Sequence, residues 1–475
     1  MNDPLFTQLP STVKSGKDAK KRTLTSRGSS LDPRIQNLDK AILDDAHVGP
    51  ALFDKQRAAQ RELGLVHGER VTCPFLRPHI LSRAQYDSIK NAAEVIAKAC
   101  EKLAQEALRN SSILHLLGLT SMEAEMARIE PGYSHLAVSS RLDAHIESNN
   151  FQFLEYNAET PAGVGDQMQL EKLLLGFPPL KRFLDSTDCW LPKPHQALLR
   201  SLVATYREWG GEEEAPQIAI VDWNGVPTGS EFRVLRNYFI ESGFPAVIAD
   251  PHDLQYDGQY LSVAGFRIDI LYKRVIIHEL LHKFDGEHPL IKAYRDGRLC
   301  MANSFRSKLA HKKSSFVVLS DPNYQNIFET DELEVIQKHI PWTRYVSKSR
   351  TSFHGTEYDL VPLIRKEQHR FVLKPNDDYG GHGVFLGWEV DAATWEDALQ
   401  LALRKPYVVQ ERVDVEKISI PAFSDRVSVD EMFVDFNPFL FQNRVEGALI
   451  RLSSSSLLNV SSGGGQTALL VLEDR

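Results

Sequence analysis

The sequence predicts an α/β protein assembled from α+β subdomains, and three segments carry that expectation. Residues 217–249 read as strand, helix and strand in succession, a βαβ unit. Residues 370–410 read as two strands bracketing a glycine-rich loop and a helix, and residues 139–157 read as a β-hairpin, echoed by strand-like runs over roughly the last fifty residues.

Taken in order, the first 35 residues are polar and basic through Lys14, Lys17, Lys20, Lys21 and Arg22, and no apolar run follows them. They read as a mobile tail, with neither a secretory signal nor a membrane span. Residues 82–108 carry a helical stripe of Ile89, Ala93, Ile96, Ala97, Cys100 and Leu103, with Ser82 placed as N-cap. The hairpin follows. With Asn149 at the centre of a three-residue loop, Asp143 falls opposite Glu155 and Arg141 opposite Asn157, all on one face. Like charges directly across a strand pair repel, so Asp against Glu with Asn alongside calls for a cation. Three oxygen-bearing side chains and no sulfur point to Mg²⁺ or Mn²⁺. The competing reading is a solvated face with Arg141 as the counter-charge.

Pro192 and Pro194 mark a boundary before the βαβ unit, whose strands are placed at 217–221 and 246–249 and whose helix runs from Glu231 to Ser242. Its Asn224–Ser230 loop has no GxGxxG spacing, so ordinary helix capping is favoured there over phosphate binding. Residues 266–277 alternate apolar with charged and read as one further strand. In the last α+β unit the strand 370–374 ends in Lys374 and runs into Asp378-Tyr379-Gly380-Gly381-His382-Gly383. A lysine beside a loop able to turn backbone N–H groups inward suits a polyphosphate, although a plain glycine turn between strands is the alternative. Tyr407-Val408-Val409-Gln410-Glu411 is an apolar strand ending in a polar pair, as an adenine-binding hinge requires.

Composition excludes some classes. At 475 residues the chain is too long for one core and suits roughly two to four domain-sized units. Its net charge of −8 argues against a general nucleic-acid binder. Cys73, Cys100, Cys189 and Cys300 show no CxxC spacing, which fits a reducing cytoplasm better than a disulfide framework or a thiolate zinc site.

Together the lysine strand, glycine loop, hinge strand and acidic metal site resemble the ATP-grasp fold. Conventional members place the metal residues after the glycine loop, whereas Asp143, Glu155 and Asn157 precede Lys374, as in circularly permuted ATP-grasp proteins. Arg141-Leu142-Asp143 followed by Glu155-Tyr156-Asn157-Ala158 is similar to the Arg-x-Asp and Glu-Tyr-Asn-Ala motifs of glutathionylspermidine synthases and their bacterial relatives. Asp269-Ile270-Leu271-Tyr272-Lys273-Arg274, Ala302-Asn303 with Lys313 ten residues on, and Arg451 ahead of the 459–465 run resemble further segments of that family. The resemblance extends from about residue 70 to the end. It departs at His311-Lys312, where the family has two aspartates, and at Val275–His278, which replaces an arginine-rich stretch followed by acidic residues.

The resemblance implies a metal-site part at 36–190, a Rossmann-like pre-ATP-grasp domain at 191–330, a small subdomain with the glycine loop at 331–413, and completing strands at 414–475. It implies an ATP-dependent ligase joining a small-molecule or peptide acid to an amine through an acyl-phosphate. Asp143, Glu155 and Asn157 would hold Mg²⁺, Lys313 and Lys374 the phosphates under Gly380, Gly381 and Gly383, and Gln410 and Glu411 the adenine, while Arg141 and Arg451 stabilise the reacting group. Two alternatives stand beside it. One is a nucleotide-binding partner protein without catalysis. The other is a zinc peptidase through His278-Glu279-Leu280-Leu281-His282, an HExxH sequence with His288 and Met301 downstream.

Overall fold

The computed structural model describes residues 32–147, 150–284, 286–423, 426–455, 458 and 464–474. The basic residues of the expected tail, the hairpin tip at Ser148 and Asn149, Asp285 and most of the 459–465 run lie outside the described residues. Among the described residues no helix is long and apolar enough to cross a membrane.

Three sheets position the cavity described below. The largest is antiparallel, in the order Gly465–Thr467, Arg444–Ser453, Val427–Phe441, Ser139–Glu147, Asn150–Asn157, with Lys417–Phe423 also paired to the long strand. The helix Arg83–Arg109 packs on one face. It starts at a reciprocal cap, in which Ser82 Oγ accepts from the Gln85 backbone and the Gln85 side chain accepts from the Ser82 backbone. Its expected stripe, Ile89 to Leu103, is buried against Leu142, Ala144, Phe436 and Ile450 of the sheet.

The second sheet is parallel, in the order Cys300–Ala302, Ile270–Lys273, Ile218–Val221, Ala246–Ala249. Its two inner strands are fully buried, because both faces are covered. Ile218 and Ile220 pack under the helices Pro194–Trp209 and Gly229–Glu241, while Ala219 and Val221 face the opposite layer with Leu280 and Leu290. The strand expected over 266–277 is divided. Phe266–Arg267 belongs to a small antiparallel sheet and Ile270–Lys273 to the parallel one, and a helix begins at Ile277. Asp269 makes the crossing, since its carboxylate accepts from the Gln217 backbone at 2.9 Å and fastens the chain to the new sheet.

The third sheet, antiparallel, runs Thr343–Tyr345, Tyr407–Glu411, Phe371–Pro375, Phe385–Leu386, backed by the helices Leu360–Lys366 and Ala392–Ala402 around a buried Trp395. Leu469–Leu472 then lies parallel to His79–Ser82, so the last described strand closes onto the start of the long helix.

Candidate active site

The Ser139–Asn157 hairpin delivers the first half of the site. Asp143 pairs with Glu155 and Arg141 with Asn157. The route to that register differs from the expected one. Glu147 pairs directly with Asn150, leaving two residues in the loop, and a bulge between Asp143 and Ala144 supplies the extra residue on the second strand. Behind the hairpin, the buried Asn303 fixes its position. Its side-chain oxygen accepts from the Val138 and Ser139 backbones, and its nitrogen donates to the carbonyls of Ser139, Ala158 and Glu159.

Asp143 lies at the centre of the charges. Arg141 grips it with two bonds, Nε to Oδ1 at 2.7 Å and Nη2 to Oδ2 at 3.1 Å, and Arg451 Nη2 reaches Oδ2 at 2.8 Å. Burial raises a carboxyl pKa, yet the two guanidiniums outweigh it and Asp143 is held below its ordinary value. Glu155 behaves alike: burial opposes, but the Lys313 and Lys374 ammoniums prevail and hold it well below the usual carboxylate range. Asn157 Nδ2 stands 3.1 Å from both Asp143 Oδ1 and Glu155 Oε1. Turning that amide over brings an oxygen to the same place, which makes an all-oxygen donor set fitting a hard divalent cation.

The small antiparallel sheet brings the second half. Lys374, at the end of its strand, donates to Gln410 Oε1 at 2.7 Å, and Gln410 in turn donates to Leu154 O of the hairpin. Burial lowers the Lys374 pKa to about 8, with Glu155 opposing the shift. Lys313 Nζ lies 3.3 Å from Glu155 and donates to the Asp378 carbonyl at 2.8 Å. Its neighbour Lys312 turns away into a buried network, 2.6 Å from Asp377 and 3.0 Å from Glu123. Lys308 joins the same network through Glu159 at 3.0 Å and Asp377 at 2.8 Å. Burial lowers the neighbouring His311 pKa to about 4, although Glu159 opposes the shift.

One cavity of about 670 Å³ connects these groups. Arg141, Asp143, Glu155, Asn157, Lys313, Lys374, Gly380, Gly381, Gln410, Glu411 and Arg451 all line it. Gly383 does not: it sits behind the loop, where an added Cβ would meet Pro375 and the Tyr407 hydroxyl within 3 Å. Glu411 reaches the cavity with its carboxylate already bound to Arg370 and His354. Sequence reasoning missed Asp435, whose carboxylate accepts from Arg451 Nε at 2.8 Å, and the far end of the cavity, where Asp166, Glu231 and Arg274 gather. Burial and the nearby Glu231 raise the Asp166 pKa to about 7. An aspartate inside the apolar run 432–441 was the available signal for Asp435.

No protein-family model matches the chain, and neither does any curated protein. Among solved structures, a glutathione synthetase-like effector from Globodera pallida, in its apo form, matches with a TM-score of 0.56 over 91% of this chain and 97% of that one, at 14% identity. The chain shares that protein's fold. A structure from Methylobacillus flagellatus, provisionally described as a gamma-glutamylcysteine synthetase, gives a TM-score of 0.42 at 10% identity over 82% of this chain and 89% of that one.

The HExxH segment lies at the rim of the same cavity on a helix of 7 residues, Ile277–Lys283. His288, the expected third ligand, has both ring nitrogens engaged, Nε2 with Pro251 O and Nδ1 with the Leu290 backbone. Glu279, the expected general base, accepts from Trp223 and Tyr379. Among the described residues no group of three or more His, Cys, Asp or Glu is arranged to hold a metal ion.

Proposed function

We propose that the chain is an ATP- and Mg²⁺-dependent carboxylate–amine ligase on a circularly permuted ATP-grasp fold, with the parallel-sheet unit as an inserted pre-ATP-grasp domain. One observation carries the reading. The oxygen donor set of Asp143, Glu155 and Asn157 meets Lys313, Lys374, Arg141 and Arg451 along a single cavity flanked by a glycine loop. Likeness to a glutathione synthetase-like fold supports it.

Mg²⁺, when bound by Asp143, Glu155 and Asn157, would neutralise phosphate charge. The chain's own groups do the positioning. Lys374, its burial penalty offset by a phosphate, and Lys313 bind the polyphosphate under Gly380 and Gly381. Gln410 orients Lys374, and with Glu411 it meets the purine at the end of the Tyr407–Glu411 strand, where both line the cavity. A carboxylate oxygen of the acid substrate attacks the γ-phosphorus and ADP leaves. An amine nitrogen then attacks the acyl carbon and phosphate leaves. Arg141 and Arg451 face the charge that develops on the acyl-phosphate oxygens, so that catalysis is mostly orientation and charge stabilisation. The acid is a small molecule or a peptide, of which a glutathione-like compound is one candidate. A cytoplasmic setting suits four free cysteines, three of them buried.

The deciding experiment measures Mg²⁺-dependent ADP release while acids and amines are varied in pairs. The ligase reading expects release with a matching pair and its loss in Glu155→Ala and Asn157→Ala. Retained turnover in those variants overturns it. ATP-dependent thermal stabilisation without ADP under any pair favours a nucleotide-binding partner protein instead.

A further inference from the structure

We propose that Tyr379 and Glu279 form a latch that holds the glycine loop across the cavity, making both positioning residues for the phosphate end of the site. The inference rests on the nucleotide reading above and extends it to how the loop is kept closed.

The base of the loop is fixed. Asn376 is buried, donates to Leu117 O at 2.9 Å and accepts from the Ser314 backbone at 2.8 Å. Asp377 is clamped between Lys308 and Lys312 at 2.8 and 2.6 Å. Beyond that point the loop rises through Gly380 and Gly381, at φ of +67° and +79°, a conformation that side chains disfavour. There Tyr379 is 49% exposed, a large ring held at the rim of the cavity.

Its hydroxyl donates to Glu279 Oε1 at 3.1 Å. Glu279 belongs to the helix Ile277–Lys283, which packs on the parallel sheet, whereas the loop belongs to the small antiparallel sheet. The bond therefore crosses between two structural units, and both of its residues line the cavity. Glu279 is itself oriented, because Trp223 Nε1 donates to its other oxygen at 2.9 Å. A hydroxyl bound to a pre-oriented carboxylate is a directional contact, and its length of 3.1 Å together with half exposure leaves it weak enough to release. This arrangement gives the glutamate of the HExxH segment a role that needs no metal. Closure over the phosphates excludes water, so the γ-phosphoryl group passes to the acid rather than to solvent.

Hydrogen exchange of the backbone amides from 378 to 384, in ligand-free protein, tests the latch directly. Tyr379→Phe and Glu279→Ala are each expected to speed exchange there by about threefold to tenfold, with the double variant no faster than either single one. Unchanged exchange in both single variants, or additive effects in the double, overturns the latch. A second readout uses a non-hydrolysable ATP analogue with Mg²⁺. Each variant should bind it about fivefold more weakly at an unchanged ligand-free melting temperature, and equal affinity counts against the proposal. If the unsubstituted protein binds no nucleotide, the ligase reading fails, and the exchange experiment still decides the latch.

Discussion

Arg451 Nη2 and Asp143 Oδ2 lie 2.8 Å apart although 308 positions separate the two residues in the chain. The same guanidinium bonds Asp435, a carboxylate only 2% exposed, so Arg451 is the counter-charge for two buried acids. Replacing it as Arg451→Met leaves Asp435 uncompensated and is expected to destabilise the protein by about 3–5 kcal/mol in urea denaturation. The double variant Arg451→Met/Asp435→Asn should recover part of that loss. Both should lack ADP release.

The Lys374 pKa, lowered to about 8 by burial, makes a pH prediction. Between pH 8 and the ordinary lysine value the unfolded chain binds a proton that the folded chain has given up, so stability rises with pH across that window. Below pH 8 the buried charge is a penalty. Lys374→Met should therefore stabilise the ligand-free protein at pH 7 by about 1–2 kcal/mol and weaken nucleotide binding, with the stability difference shrinking toward pH 10.5. Thermal melts across pH, with and without ATP, check both signs.

Glu155 is expected to carry cation binding, at some cost to the fold, because its ionised form is held by the Lys313 and Lys374 ammoniums. Glu155→Gln keeps the shape and removes the charge, and should lower Mg²⁺-dependent ADP release roughly 100-fold or more. Chelation of divalent cations should produce the same loss in the unsubstituted protein and be reversed by Mg²⁺. An isothermal titration with Mg²⁺ and an ATP analogue distinguishes lost binding from lost chemistry.

Asn303 makes five hydrogen bonds to backbone groups behind the hairpin. Asn303→Ala orphans buried donors and acceptors and should cost about 3 kcal/mol. Because those partners include Ser139 and Ala158, at the ends of the two hairpin strands, activity should fall further than stability alone explains. Comparing residual activity with the folded fraction at one temperature tests this.

Much of the site is legible in short segments. The pairings of Asp143 with Glu155 and Arg141 with Asn157 follow from alternation along two strands, and they survive an incorrect loop length. A loop residue and a bulge residue shift the register equally, so the side chains still meet. Lys374 at a strand end and the glycine loop are equally local. The choice between Lys312 and Lys313 is not. Adjacent residues point in different directions on a short turn after Lys308–His311, and only the placement of Asp377 and Glu155 shows which ammonium faces the cavity. Asp435 escaped because its partner stands on another strand, paired through a register that sequence does not print.

By itself the sequence determined the hairpin, the capped helix, the βαβ unit and the lysine strand, since each depends on periodicity and neighbours a few residues apart. The tertiary structure decided which charges meet. It set Arg451 beside Asp143, seated Lys308 and Lys312 between Glu123, Glu159 and Asp377, and brought Tyr379 to Glu279. Those contacts are made only after long loops close and water leaves, and the chain order of the residues carries no record of that geometry.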